Sequence, residues 1–362
     1  MFEEYNPLDN KIFRIIDNNG KVKNKKHTPE IDSKKVVEAY KKMLFARTAD
    51  LLTVNYQRQG RIFTYPPNYG QEAIHAGVAS VIRHEDWLVP AFREVGVMLA
   101  KGVTLKEIFL YYMGNEDASR FQNANNVLPV SVPIASQLIH AVGIGYEIKL
   151  NKKKEVVYTF VGDGGTSEGD FHEALNFAGV WGVPVVFIIQ NNQYGISTPT
   201  SVQTASINLA VKSVAYGIKG IKVDGNDFFA MHAAVKQAHD YALEEGKPVL
   251  IEALTYRKGP HTTSDDPTKY RTVEEEKEWD KTDPLKRLKM WLEDQKLVDW
   301  NEESLIEDYK KEADRQFVEA ENYHPYPVED VFKYQYVEMP EDLKEQQRNY
   351  EKFLKWQESL GK

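Results

Sequence analysis

Residues 156–199 constrain this chain more than any other stretch. Val156–Val161 and Val183–Ile189 are short, largely apolar runs, the pattern of strands buried on both faces of a parallel sheet. Between them Gly162-Asp163-Gly164-Gly165 ends the first run, and Ser167 followed by Asp170 has the Ser/Thr-x-x-Asp/Glu spacing of a helix start. The second run closes in Gln190-Asn191-Asn192. Two parallel strands joined by a helix need a right-handed crossover, so the glycine turn and the amide-bearing loop fall on one edge of the sheet.

The alternation continues on both sides. Gly220–Val223 reads as a strand, Phe228–Leu243 as a helix and Pro248–Ala253 as another strand, with a shorter strand at Trp87–Pro90. Strands alternating with helical stretches predict an α/β fold: a doubly wound parallel sheet with helices on both faces. Apolar residues at helical spacing predict helices from Ser33 to Gly60, from Gln71 towards Val81 and over Ile134–Leu150. The last carries Ala141, Gly143 and Gly145 for close packing. Residues 114–133 are Asn-rich and aperiodic, which suits a long loop beside a site. Three parts are expected: a polar lead segment (1–32) draped over a partner, an α/β domain (33–271), and a helical C-terminal region (272–362) packed on it. Helical stretches at Pro284–Gln295, Glu302–Glu321 and Asp342–Ser359, with Trp291, Trp300, Phe332, Tyr334 and Tyr336 interleaved, make that region a cover.

Composition removes several function classes. A net charge of −8 over 362 residues, with no basic face, argues against nucleic acid as a partner. There is no cysteine, which excludes disulfides, thiolate nucleophiles and thiolate metal sites. No apolar span is long enough for a membrane helix. The start MFEEYNPLDN lacks the basic-then-apolar layout of a secretory signal, so a cytoplasmic location is expected.

The glycine turn is not a dinucleotide loop, because Ser167 stands where the third glycine of G-x-G-x-x-G belongs. Asp163 in the middle of the turn would repel a bound diphosphate unless a cation lay between them. Mg²⁺ suits that position, since it takes hard oxygen ligands and shares phosphates with one or two protein groups. Asn192, at the end of the next strand, can bring its amide oxygen to the same ion. Each residue alone reads equally as a helix cap or a turn former; on successive strand ends they read as a metal clamp.

Gly162-Asp163-Gly164, followed 29 residues after Asp163 by Asn192, resembles the cofactor motif of thiamine diphosphate enzymes. The surrounding GDGGTSEGDFHEALNFAG and QNNQYGIST are similar to the α subunit of the E1 component of 2-oxoacid dehydrogenase complexes. The resemblance runs from about residue 35 to the C-terminus. It implies thiamine diphosphate and Mg²⁺ as cofactors, with Asp163 and Asn192 as side-chain ligands and Tyr194 giving a backbone oxygen. It implies backbone contacts from Gly164 and Gly165 to the diphosphate, and a charge-assisted contact from Arg93. Phe92 stands where better-known members have tyrosine, so a hydroxyl contact is lost there. Val132, within Ser131-Val132-Pro133-Ile134, falls where the family touches the aminopyrimidine ring, and Ile134 where an aliphatic side chain wedges the cofactor into its folded shape. A monovalent cation near Ser131, Pro133 and Gln137 is a further implication. His261, in the loop HTTSDDPTKYR, matches a catalytic histidine that donates or shuttles a proton.

The resemblance also implies what is missing. The glutamate that activates the cofactor ring belongs in this family to an E1 β subunit, so the chain is expected to work only in an α2β2 assembly. Its other partners would be a small 2-oxo acid and the lipoyl domain and core of E2. Which 2-oxo acid stays open. Asn68-Tyr69-Gly70, Ser167-Glu168-Gly169-Asp170 and Thr263-Ser264-Asp265-Asp266 look like branched-chain members. Gly162-Asp163-Gly164-Gly165-Thr166 and Gln190-Asn191-Asn192 look like the bacterial pyruvate members, the nearest resemblance taken whole. A reading from another class, a non-catalytic nucleotide-binding or scaffold protein on the same βαβ unit, predicts no dependence on either cofactor.

Overall fold

The computed structural model describes residues 2–324 and 327–361. In chain order its elements are α1 (Ser33–Arg58), α2 (Glu72–Ala79), β1 (Trp87–Val89), α3 (Val95–Ala100), α4 (Leu105–Tyr112), α5 (Ser136–Leu150), β2 (Val157–Gly162), α6 (Gly169–Trp181) and β3 (Val185–Asn191). A small ribbon of β4 (Tyr194–Gly195) and β5 (Thr198–Pro199) follows, then α7 (Thr200–Gln203), β6 (Lys219–Asp224), α8 (Phe228–Glu245) and β7 (Val249–Leu254). The rest is helical: α9 (Val273–Asp280), α10 (Pro284–Asp294), α11 (Glu302–Glu321), α12 (Val328–Lys333) and α13 (Glu341–Ser359).

Five parallel strands form the main sheet, in the order β1-β2-β3-β7-β6. Apart from Gly162, every residue of β2 and β3 is buried, as largely apolar strands require when helices flank the sheet. Val157, Phe187 and Leu250 pack with Leu138 and Ala141 of α5 and with Phe171, Leu175 and Ala178 of α6. Close approach explains Gly145: a β-carbon there would sit 2.7 Å from Val185 Cγ2. Gly143, expected to pack likewise, has nothing within 4 Å of a β-carbon and is exposed. The register sets Gly162 opposite Gln190 and Asn191 opposite Leu254. The chain therefore leaves β2, β3 and β7 at one edge, and residues 163, 192 and 255–257 gather there.

The expected start of α6 needs correction. Gly164–Ser167 form a 3-10 turn, so Ser167 closes that turn; Glu168 is the N-cap of α6 and makes no side-chain capping bond. The glycine-rich run bends too tightly for the helix to begin at Ser167. Helices α3, α4 and α12 had no counterpart in the periodicity, being only six to eight residues long. The lead segment packs on this chain's own sheet edge. Phe13 pairs in parallel with Val223, and the N–H groups of Ile15 and Ile16 both donate to Asp227 Oδ2 at 2.7 Å.

The chain divides into two compact units, residues 1–317 and 318–362. In the first, Trp291 packs edge-on against Phe229, Trp300 lies 5.9 Å from Tyr40, and Phe317 stacks on Tyr56. Within the second, α12 packs on α13, and Tyr334 and Tyr336 are exposed. Among the described residues, no helix is long and apolar enough to cross a membrane.

Candidate functional site

One cavity of about 300 Å³ opens at the strand edge described above. Phe92, Arg93, Ile134, Asp163, Gly164, Gly165, Asn192, Tyr194 and His261 all line it, as do Ser131 and Gln137. Val132 is absent from its wall and is 59% exposed. Residues spread over 170 positions are thus brought together by three strand ends and two loops.

The turn after β2 is shaped by its glycines. A β-carbon on Gly165 would lie 2.4 Å from Val161 Cγ2 and 3.1 Å from Ile134 Cγ2, and one on Gly164 would lie 3.2 Å from Gly195 Cα. Only hydrogen at these positions lets the turn lie flush between β2 and the β4–β5 ribbon. Ile134 is held at the cavity by Ala135, which takes a left-handed φ of 67° immediately before α5, a conformation costing a non-glycine residue about 1 kcal/mol.

Three oxygens converge where the two loops meet. The Asn192 carboxamide oxygen faces Asp163 Oδ1 and the Tyr194 carbonyl oxygen at 3.2 Å each. Turning the amide over would convert both approaches into hydrogen bonds; left as it is, the cluster asks for a cation. Asp163 is buried, and burial pushes its carboxyl up to about 6. Its other oxygen accepts a hydrogen bond from Thr200 Oγ1 at 3.3 Å. A carboxylate, an amide oxygen and a carbonyl form a hard donor set that suits Mg²⁺ with anionic oxygens completing the shell. Among the described residues no group of three or more His, Cys, Asp or Glu side chains is placed to hold a metal ion.

The cavity also carries two buried cations, one of them beside the oxygen cluster. Arg93 donates to the carbonyls of Pro67 and His261, and its Nη2 lies 3.1 Å from His261 Nδ1. Arg257 donates to the Tyr194 carbonyl at 3.1 Å and to the Ile196 carbonyl and Tyr270 Oη at 2.7 Å each. Both guanidiniums are buried, and among the described residues neither makes an ion pair. Desolvation, and then the Arg257 charge, lowers Arg93 to about 10. Two buried guanidiniums without a direct ion pair beside one cavity favour the entry of an anion. His261 is pushed down to about 4 by burial and the two arginines, so its imidazole is neutral near pH 7 and able to accept or relay a proton.

Sequence reasoning missed Arg257. Its signal was position: a cation three residues past the end of a buried parallel strand stands where ligands of open α/β sheets bind. Gln203 and Ile196 also line the cavity and were not anticipated.

A buried carboxyl supports this wall from behind. Asp50 Oδ1 accepts from Tyr65 Oη at 2.7 Å and from Asn68 N at 2.8 Å, which fixes the loop whose Pro67 carbonyl receives Arg93. Asp50 Oδ2 is buried without a partner, and desolvation pushes the carboxyl from 3.8 up to about 6. The fold therefore holds this proton more tightly than the unfolded chain does. That stabilisation is full below the unfolded value and is lost as pH rises through the folded one, where the ionised group costs about 3 kcal/mol. Asp50→Asn should gain stability relative to wild type as pH is raised from about 4 to about 7, on top of a constant offset for its orphaned amide. Urea unfolding midpoints across that range measure the slope; a difference that does not change with pH would reject the account.

Residues 40–329 match the dehydrogenase E1 component family. A protein named pyruvate dehydrogenase E1 component subunit alpha from Acholeplasma laidlawii is 43% identical over 343 residues, covering 93% of this chain and 99% of the relative. The protein of that name from Staphylococcus aureus is 40% identical, covering 94% of this chain and 92% of its own length. That from Mycoplasma genitalium is 37% identical, covering 97% and 98%.

Proposed function

This chain belongs to the dehydrogenase E1 component family, and from that premise we propose that it acts as the α subunit of a pyruvate dehydrogenase E1. The reaction is oxidative decarboxylation of pyruvate, with transfer of the acetyl group to a lipoyl group of E2. Relatives named for pyruvate at 37–43% identity favour that substrate over a branched-chain 2-oxo acid. The observation that carries the reading is one cavity lined by a hard oxygen cluster and by two buried guanidiniums without an ion pair.

In this reading the fold is the doubly wound thiamine diphosphate-binding fold. Asp163, Asn192 and the Tyr194 carbonyl hold Mg²⁺, while Arg93, Arg257 and the N–H groups of Gly164 and Gly165 hold the diphosphate. Thiamine diphosphate, when bound, supplies the carbon centre that accepts the 2-oxo acid and lets CO₂ leave. Ile134 props the cofactor in its folded shape, and neutral His261 moves a proton beside the substrate. Ser131, Pro133 and Gln137 form the candidate monovalent cation site; Gln137 Oε1 is a buried acceptor without a donor, which suits that role. Val132, exposed beside the mouth, can reach the cofactor ring only through its backbone.

The partner is an E1 β subunit, which brings the ring-activating carboxyl. Exposed apolar side chains support where it sits: Ile134 and Ile196 at the cavity, the α5 row Ile139, Tyr146 and Leu150 on either side of open Gly143, and Phe177 and Val180 on α6. Exposed apolar side chains grouped on neighbouring helices mark a protein interface. Calorimetry on the α chain co-purified with its β subunit should show thiamine diphosphate binding that requires Mg²⁺. The assembly should turn over pyruvate faster than 2-oxoisovalerate. No binding by the complete assembly, or a preference for 2-oxoisovalerate, would overturn the corresponding part.

A further inference from the structure

Glu252 is an acidic residue in the buried interior of β7. It lies in β7 opposite Ile189 of β3, and only 1% of it is exposed. Its Oε1 accepts a hydrogen bond from Asn191 Nδ2 at 2.7 Å. Its Oε2 accepts two, from Leu209 N at 2.8 Å and Ala210 N at 2.9 Å. Among the described residues no cation lies within ion-pair distance of it, so these N–H donors carry its solvation.

The three donors sit at the two ends of one segment. Asn191 is the last residue of β3, and Leu209 and Ala210 begin the next 3-10 turn. Everything between them, residues 192–208, forms the loop that brings Asn192, Tyr194, Ile196 and Gln203 to the cavity. Asn191 passes the constraint onward: its Oδ1 accepts from Gln193 Nε2 at 3.0 Å and lies 3.4 Å from Thr200 Oγ1, whose single hydrogen goes to one acceptor at a time. That Thr200 hydroxyl also lies 3.3 Å from Asp163 Oδ2.

We propose that Glu252 is the positioning residue of the metal loop, pinning both of its ends and setting the orientation of the Asn191 amide that reaches Asp163 through Thr200. The proposal rests on the metal reading of the cavity given above. The chemistry explains why the residue is a carboxylate. Both loop ends present donors, and only a group with an acceptor at each end can hold both. Glutamine would offer one oxygen and one NH₂, so one end would face a donor. Either that end is released, or Asn191 turns its amide over and presents NH₂ towards Gln193 and Thr200 in place of its oxygen.

The same argument supplies a rescue. In the double variant Glu252→Gln/Asn191→Asp, the new NH₂ meets a carboxylate, the acceptor towards Thr200 is restored, and the net charge is unchanged. The variants are made in the α chain co-purified with its β subunit. Two quantities are read: hydrogen exchange at residues 191–210 without cofactor, and the Mg²⁺ concentration that half-saturates thiamine diphosphate binding. Glu252→Gln should speed exchange at Leu209 and Ala210 selectively and raise the Mg²⁺ requirement up to about 10-fold, the lower end of what losing a direct partner of a metal ligand does. The double variant should recover most of both.

Unchanged exchange and Mg²⁺ dependence in Glu252→Gln would overturn the proposal. So would faster exchange spread evenly over the fold with no recovery in the double variant. Asp163→Ala run in parallel separates the premises. If it still binds the cofactor with wild-type Mg²⁺ dependence, the metal reading fails, and the exchange measurement still decides what Glu252 does.

Discussion

Asp163→Ala should reduce Mg²⁺-dependent binding of thiamine diphosphate at least about 100-fold, the upper end of what outer-shell losses alone produce, and abolish turnover. The carboxylate is the only full negative charge among the three convergent oxygens, and an amide and a carbonyl hold Mg²⁺ poorly without it. The cofactor-free fold should not suffer. Burial holds the Asp163 carboxyl at about 6 against an ordinary 3.8, so its contribution to stability is full below the unfolded value and lost as pH rises through the folded one. Near pH 7 the ionised group is a burden that alanine removes. Calorimetric titration paired with unfolding of the cofactor-free assembly tests both arms. Retained binding would remove the metal from the account. Lost binding accompanied by a collapse in cofactor-free stability would make Asp163 a structural residue.

What could be read from the chain follows from where the information sits. Asp163 and Asn192 are each adjacent to an apolar run that only a buried parallel strand explains, and parallel register alone puts them on one edge. Arg93 and His261 were reachable only through resemblance, because the short strand and long loops around them carry no periodic signal. Arg257 was passed over although it lies in the loop that gave His261; the hydrogen bonds that define it run to Tyr194 and Ile196, more than 60 positions away. Ser167 failed as a helix cap because local spacing does not register a 3-10 turn placed before the helix. Glu252 lay within the expected strand Pro248–Ala253, but its donors Asn191, Leu209 and Ala210 belong to a separate stretch. Only tertiary structure turns that glutamate from an oddity in an apolar strand into a clamp.

Arg93→Met should cost the cofactor about 10- to 100-fold in affinity, the equivalent of one charge-assisted hydrogen bond at 1.5–3 kcal/mol, while leaving the cofactor-free fold within about 1 kcal/mol of wild type. Two opposing effects set the second figure. A guanidinium held at about 10 against an ordinary 12.5 is penalised in the fold at every pH below its folded value, by roughly 3 kcal/mol, and the penalty fades only above it. Methionine removes that penalty but also the hydrogen bonds to the Pro67 and His261 carbonyls, each worth about 1.5 kcal/mol when the donor is charged. Arg257→Met is less forgiving, because one of the acceptors it strands is the Tyr194 carbonyl proposed to bind the metal. The measurement is the rise in melting temperature on adding thiamine diphosphate and Mg²⁺. A hundredfold weaker site loses about 2.7 kcal/mol of ligand stabilisation at saturating cofactor, so the rise should shrink sharply in Arg93→Met while the cofactor-free melting point holds. An intact rise with a lowered cofactor-free melting point would mean that Arg93 braces the loop and leaves the diphosphate to others.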